Sequence, residues 1–316
     1  VEKRQLGKSS LQVAPLTLGG NVFGWTIDEA RSFEILDGFT GAGFNLVDTA
    51  DVYSRWAPGN TGGESETIIG KWMKARGNRD KVVLATKVGA DMGQGKTDLS
   101  RKYIVKAVED SLRRLQTDHI DLYQTHWDDA GTPVEETLET YAGLIKEGKV
   151  RYIGASNLSP ERLIASLEAS AEHGYPRYES FQPHYNLYVR NEFEQDLEQI
   201  VKDHDLGVIS YYSLASGFLT GKYRSEADLG KSPRGGGVAA YLNDRGFKIL
   251  AALDQVAAEY NSTPASVAIA WLIARPSVTA PIASATSIAQ LGDLVKAAQL
   301  QLDDKAIALL TEASAW

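Results

Sequence analysis

The chain has 316 residues, of which 43% are hydrophobic and 23% charged, enough to bury a large core without covalent staples. It contains no cysteine, which excludes disulfides, thiolate metal sites and thiol catalysis. A net charge of −8 argues against a general nucleic-acid surface but leaves room for a local phosphate pocket. The longest apolar stretches, such as Val267 to Ala274, are too short to span a bilayer. Val1-Glu2-Lys3-Arg4 lacks the apolar core of a signal peptide. The expectation is a cytoplasmic protein with neither a membrane nor a nucleic-acid partner.

In chain order, Lys3 to Val13 reads as a hairpin with Gly7-Lys8 at its turn, placed to close the bottom of a barrel. Eight short apolar runs follow: Pro15 to Gly19, Asn45 to Thr49, Val82 to Lys87, Ile120 to His126, Val150 to Ser156, Ser180 to Pro183, Gly207 to Tyr212 and Thr279 to Ser284. They lack strict alternation, as strands buried on both faces do. Helical periods lie between them. Ser100 caps a stripe of Ile104, Val108, Leu112 and Leu115, and Leu138, Tyr141 and Ile145 line a helix starting near Pro133. Ser159-Pro160-Glu161 supplies an N-cap, a first-turn proline and an acid. The alternation predicts one α/β domain over 1–316, a (β/α)8 TIM barrel. A doubly wound sheet is the alternative, but no Gly-x-Gly-x-x-Gly follows the first strand. Two further segments depart from the repeat: a long loop after the seventh strand, Leu214 to Arg245, and an extra C-terminal helix, Leu302 to Ala315.

In such a barrel the site gathers at the C-terminal ends of the strands. Asp48, Lys87 and His126 end the second, third and fourth predicted strands, and Tyr53 follows in the loop after Asp48. Reducing a carbonyl needs a proton for the developing alkoxide. A tyrosine, with its pKa of about 10, is a reluctant acid, and a nearby ammonium such as Lys87 lowers that value. Asp48 would hold Lys87 charged, and His126 would orient the carbonyl oxygen. Side chains carry no hydride, so a cofactor must bring it.

These residues resemble the aldo-keto reductase signature. Asp48-Thr-Ala-Asp-Val-Tyr53, Gly63-Glu-Ser-Glu66 and Ile69-Gly70 stand in family order. Ala85-Thr-Lys-Val88, Gln124-Thr-His126, Gly154-Ala-Ser-Asn157 and Leu219-Thr-Gly-Lys-Tyr223 continue it across nearly the whole chain. The resemblance implies an NAD(P)H-dependent reductase of small-molecule carbonyls on a (β/α)8 barrel. Asp48, Tyr53, Lys87 and His126 match its catalytic tetrad, with Tyr53 the acid. Ser156, Asn157 and Gln182 match the groups that bind the nicotinamide carboxamide, and Asp48 lies beside them. Tyr211 matches the stacking aromatic, with Tyr212 its near neighbour. Leu214, Gly217 and Lys222 match the pyrophosphate loop, and Gly20 and Asn21 lie by the cofactor ribose. Ser284, Thr286, Ser287 and Gln290 match the adenosine end.

That end departs from the family pattern. The basic residue that reads the 2′-phosphate is replaced by Thr286 or Ser287, and the asparagine a turn later by Leu294. NADP is expected as the family's common choice, with NAD or dual use as the alternative.

Each residue also has a plainer reading: Asp48 as a turn cap, Lys87 as a solvated lysine, His126 and Tyr53 as packing residues. All four coinciding at one mouth, at family spacing, disfavours that set. Trp25 and Trp127 are candidate substrate walls and Trp56 a loop-packing residue. Glu64 and Glu66 read as helix caps. His184, near a strand end, is the remaining histidine of interest. No metal is expected: His126, Asp128 and Asp129 do not place a third ligand. Two other functions stay open, a cofactor-binding channel subunit with little turnover and a Schiff-base enzyme using Lys87.

Overall fold

The structure, a computed structural model, describes residues 1–232 and 235–316. Pro233 and Arg234, part of the glycine-rich stretch in the predicted long loop, lie outside the described residues. The chain opens with a hairpin of β1 (Arg4–Gln5) and β2 (Gln12–Val13). Then come β3 (Thr17–Gly19), α1 (Glu29–Gly41), β4 (Leu46–Asp48), α2 (Glu64–Arg76), β5 (Val83–Val88), α3 (Arg101–Leu115), β6 (Ile120–Thr125) and α4 (Val134–Lys146). They are followed by β7 (Val150–Ser156), α5 (Pro160–His173), β8 (Tyr178–Gln182), the short α6 (Asn191–Glu194) and α7 (Leu197–Asp203), and β9 (Gly207–Val208). After a loop of three 3-10 turns come α8 (Asp244–Glu259), α9 (Pro264–Ile273), β10 (Ile282–Ala283), α10 (Ile288–Ala297) and α11 (Asp304–Ala313).

Eight strands, β3 to β10, form one parallel sheet in the order β10-β3-β4-β5-β6-β7-β8-β9. Its two edges bond to each other: Thr279 N donates to Val208 O and Ile282 N to Ser210 O, both at 2.8 Å. The predicted (β/α)8 barrel is therefore the observed one. The helix starts follow from the sequence: Ser100 and Ser159 accept from Tyr103 N and Arg162 N as N-caps. Where one extra helix was expected there are two. α8 presents Ile249, Leu250, Leu253 and Val256 as a buried stripe and packs against α11.

The core has two parts. A broad layer fills the space between strands and helices. A smaller plug inside the barrel joins Leu46, Ala85, Leu122, Ile209 and Ile282 to Leu6, Leu11 and Val13 of the N-terminal hairpin. The hairpin thus stops the bottom of the barrel, and the site is built on top of this plug. Among the described residues no helix is long and apolar enough to cross a membrane.

Candidate active site

Period-two alternation decides what faces the barrel axis. Leu46 and Asp48 share the inward face of β4, Ala85 and Lys87 that of β5, and Leu122 and Gln124 that of β6. The first member of each pair joins the apolar plug, so the second lies one layer higher, at the strands' C-terminal ends. The ladder sets Asp48 beside Ala85 and Lys87 beside Gln124. On β7 the inward position is Gly154. A Cβ there would come within 2.4 Å of Ser180 Oγ and 3.2 Å of Gln124 Cγ, so glycine makes room for the Gln124 side chain.

Lys87 and Asp48 have no exposed surface. Lys87 Nζ donates to Asp48 Oδ2 at 2.5 Å, Thr49 O at 2.9 Å and the Tyr53 hydroxyl at 2.9 Å, so all three ammonium hydrogens have acceptors. Asp48 Oδ1 accepts from Gln124 Nε2 at 2.9 Å and Gln182 Nε2 at 3.1 Å, and Gln182 Nε2 also donates to Gln124 Oε1 at 2.9 Å. Gln124 is the member the sequence reading missed. Its signal was a glutamine two residues beyond an inward leucine in a strand.

Because the Tyr53 oxygen accepts from Lys87, its own proton remains to be donated. Burial pushes the Tyr53 hydroxyl above its ordinary value, against the pull of Lys87. The sequence-based expectation of a lowered tyrosine is corrected here: desolvation of the phenolate outweighs the ammonium. Burial also works against the charge on Lys87, but Asp48 and Tyr53 overcome it and hold the lysine above its ordinary range. His126, one residue past β6, is kept well below the usual histidine range by burial and then by Lys87, so the ring is neutral. Its Nδ1 is buried with no partner among the described residues. A proton there would be stranded, which favours the Nε2–H tautomer. The ring meets Tyr53 edge-on, with centroids 6.0 Å apart.

Tyr53 and His126 stand at one end of a cavity of about 1490 Å³. Trp25, Trp56, Trp127 and Tyr212 line the same end. Trp56 was expected to pack its loop down. Instead it is 49% exposed and edge-on to Trp25 at 5.5 Å. Ser156, Asn157, Gln182 and Tyr211 line the middle, followed by Leu214, Gly217 and Lys222. Ser284, Thr286 and Gln290 line the far end with Asp293 and Leu294.

Three expected contact residues face elsewhere. Asp48 is sealed beneath Lys87. Gly20 lies under α2, its carbonyl accepting from Ser65 Oγ at 2.7 Å, while its neighbours Gly19 and Asn21 line the cavity. Ser287 is the N-cap of α10, its Oγ accepting from Gln290 N at 3.2 Å.

The polar groups along the cavity fit a nicotinamide dinucleotide. Asn157 Nδ2 donates to His126 O and Ser156 Oγ, and Asn157 Oδ1 accepts from the Tyr211 hydroxyl at 2.9 Å. The Tyr211 ring is thereby tied in place. Gln182 spends its N–H groups on Asp48 and Gln124, so toward a ligand amide it acts as an acceptor. Gly217, at φ 96°, turns the loop in a way that other residues resist. At the far end Thr286 N and Oγ1 donate to Gln290 Oε1 at 2.9 and 3.0 Å. An acceptor oxygen thus already occupies a position suited to a phosphate oxygen.

Behind the barrel wall lies a second buried acid. Asp51 is 2% exposed, and neither of its carboxylate oxygens has a partner among the described residues. Burial and then Glu66 push it up to about 8, against Arg114 and Lys87. Glu64 caps its loop as expected, accepting from Thr61 N and Gly62 N. Glu66 does not: it is fully buried, accepting from Arg114 Nε and Thr86 Oγ1, both at 2.6 Å. Asp128 pairs with Arg162, and Asp129 accepts from Leu99 N, Gly131 N and Thr132 Oγ1.

A parallel barrel with a buried Asp–Lys–Tyr constellation and a neutral histidine, beside a cavity roomy enough for a dinucleotide, defines a nicotinamide-dependent oxidoreductase. Comparison with known proteins gives the family. A sequence model described as the Aldo/keto reductase family matches residues 15–315. The chain is similar to an uncharacterised oxidoreductase, YrpG, of Bacillus subtilis (strain 168), at 36% identity over 99% of this chain and 95% of that protein. It is similar to Protein tas of Escherichia coli (strain K12), at 31% identity over 98% and 96%. It also resembles a probable voltage-gated potassium channel subunit beta of Arabidopsis thaliana, at 31% over 94% and 91%. The chain belongs to the aldo-keto reductase family and is an NAD(P)H-dependent oxidoreductase.

Proposed function

We propose that the chain, working as one domain in the cytoplasm, reduces aldehydes or ketones to alcohols with NADPH, and that Tyr53 is the proton donor. The observation that carries this reading is the hydrogen bond from Lys87 Nζ to the Tyr53 oxygen, which leaves the tyrosine proton for a substrate in the cavity. When bound, the reduced cofactor supplies the hydride. Ser156, Asn157 and Gln182 would hold its carboxamide and Tyr211 its ring. Asn21, Leu214, Gly217 and Lys222 would flank the ribose and pyrophosphate, and Ser284, Thr286 and Gln290 the adenosine.

The carbonyl oxygen lies before Tyr53 and the His126 N–H. As negative charge grows on that oxygen, the Tyr53 proton moves to it. Lys87, fixed by Asp48, stabilises the phenolate left behind. The raised resting value of Tyr53 keeps its proton in place until the alkoxide calls for it, so the help from Lys87 is realised in the transition state. Trp25, Trp56, Trp127 and Tyr212 take the apolar body of the substrate.

The preference for NADPH rests on the family resemblance and on Lys222 beside the cavity. With Thr286 in place of a basic reader it is a modest one. The test is steady-state loss of NADPH, and separately NADH, with a panel of aryl and alkyl aldehydes. Tight cofactor binding with no turnover on any of them would instead support the second reading, a cofactor-binding channel subunit. The likeness to the Arabidopsis channel subunit favours that alternative.

A further inference from the structure

His184 was singled out by the sequence and has no part in the chemistry above. Its backbone pairs with that of Tyr211 in a parallel bridge, and the two rings stack with centroids 5.3 Å apart and planes 14° from parallel. Tyr211 lines the cavity and His184 is not among its lining residues, so the imidazole covers the face of Tyr211 turned away from it. Tyr212, at φ 53°, closes the edge of the same imidazole at 5.4 Å. The Tyr211 hydroxyl is fixed by Asn157. The order across the barrel mouth is therefore histidine, tyrosine, cavity.

We propose that His184 is a positioning residue that sets the relative affinity for oxidised and reduced cofactor: protonated, it weakens binding of the oxidised form. This rests on the reading that the nicotinamide stacks on Tyr211. The oxidised nicotinamide ring carries a positive charge and the reduced ring is neutral. A charge on His184 sits one aromatic ring away and repels only the former. At such a separation, in a partly buried site, the repulsion corresponds to roughly a fivefold change in affinity.

Among the described residues Glu192 is the one charged group acting on His184, its Oε2 lying 3.7 Å from Nδ1. Among the same described residues Tyr211 and Tyr212 are the other titratable groups against it. Nε2 is buried without a partner among the described residues, so charging the ring places an N–H in dry surroundings. Burial accordingly holds His184 below its ordinary value, with Glu192 pulling it back up. By linkage, the oxidised cofactor expels the proton as strongly as the proton expels the cofactor. The consequence is that mild acid favours loading the reductant and releasing its oxidised product.

The test is equilibrium binding of NADP⁺ and NADPH to the whole protein between about pH 5 and pH 8. Both forms carry the same phosphates, so phosphate titration cancels in the ratio of their Kd values. In the wild type that ratio, oxidised over reduced, rises on acidification, toward about fivefold as His184 becomes charged. In His184→Phe it is flat. In Glu192→Gln, an exposed change that leaves the fold alone, the rise moves to lower pH. His126 is present in all three proteins and serves as the internal control. A ratio that does not vary with pH in the wild type, or the same variation in His184→Phe, would overturn the proposal. Failure of the wild type to bind either form at any pH would defeat the functional reading, and this inference with it.

Discussion

The two ends of the cavity are built differently. At the chemical end Asp48, Lys87, Gln124 and Gln182 project from strands, are almost wholly buried and bond mainly to one another. Toward the adenosine end, Lys222 of the pyrophosphate loop and Thr286 and Gln290 at a helix start are partly or fully exposed, and their bonds are short-range. Developing charge is stabilised best by groups that need not reorganise. A dinucleotide tail needs only to be held, and a surface that adjusts to it is sufficient.

The largest effect expected from this contrast is at Lys87. Lys87→Met leaves Asp48 buried and unpaired and should destabilise the protein by about 3–5 kcal/mol. It should also lower the single-turnover rate by roughly 10²- to 10⁴-fold. Adding Asp48→Asn should restore much of the stability, measured by denaturant unfolding, but none of the rate. A Lys87→Met protein of normal stability would show that the chemical end is not the interlocked unit described.

Asp51 sharpens the contrast from behind the wall, since it is as buried as Asp48 but lacks its partners. Its value is raised from the ordinary 3.8 to about 8, so the folded state holds this proton more tightly than the unfolded chain. Its contribution is fully present below about pH 3.8 and is lost as pH rises toward about 8, by at most roughly 1.4 kcal/mol per pH unit. Asp51→Asn should remove that slope and be the more stable protein near pH 8. Parallel stability–pH curves for the two proteins would mean that Asp51 is not protonated in the fold.

Effects at the adenosine end should be smaller. Thr286→Arg should raise the NADPH-over-NADH preference about tenfold, or roughly 1.4 kcal/mol, with kcat little changed. A selectivity that stays put would remove Thr286 from the phosphate site. Ser287→Ala removes a helix cap and should cost about 1 kcal/mol in thermal unfolding, with cofactor affinity nearly intact. A large loss of affinity without loss of stability would make Ser287 a ligand contact after all.

The same contrast governs what was legible in the sequence. Strand-borne residues were readable, because the i, i+2 rule and the family motifs together fix which side chain points inward. Even Gln124 could have been found by counting two from Leu122. Loop and helix-start residues were readable only to within a position or so. Gly20 was named where Gly19 lines the cavity, and Ser287 was named beside Thr286, which alone of the two lines it. Trp56 and the second extra helix, α8, depended on tertiary packing that no local pattern records. The upward shift of Tyr53 and the partnerless state of Asp51 depend on burial among residues distant in sequence, Glu66 and Arg114 included.

The proposed reduction turns on the proton of Tyr53. The most direct measurement compares wild type and Tyr53→Phe for cofactor affinity and for single-turnover reduction of one aldehyde. The expected result is a Kd for NADPH unchanged within about twofold, with the rate reduced roughly 10²- to 10⁴-fold. A variant that binds cofactor normally and keeps the wild-type rate would contradict the claim that Tyr53 is the proton donor.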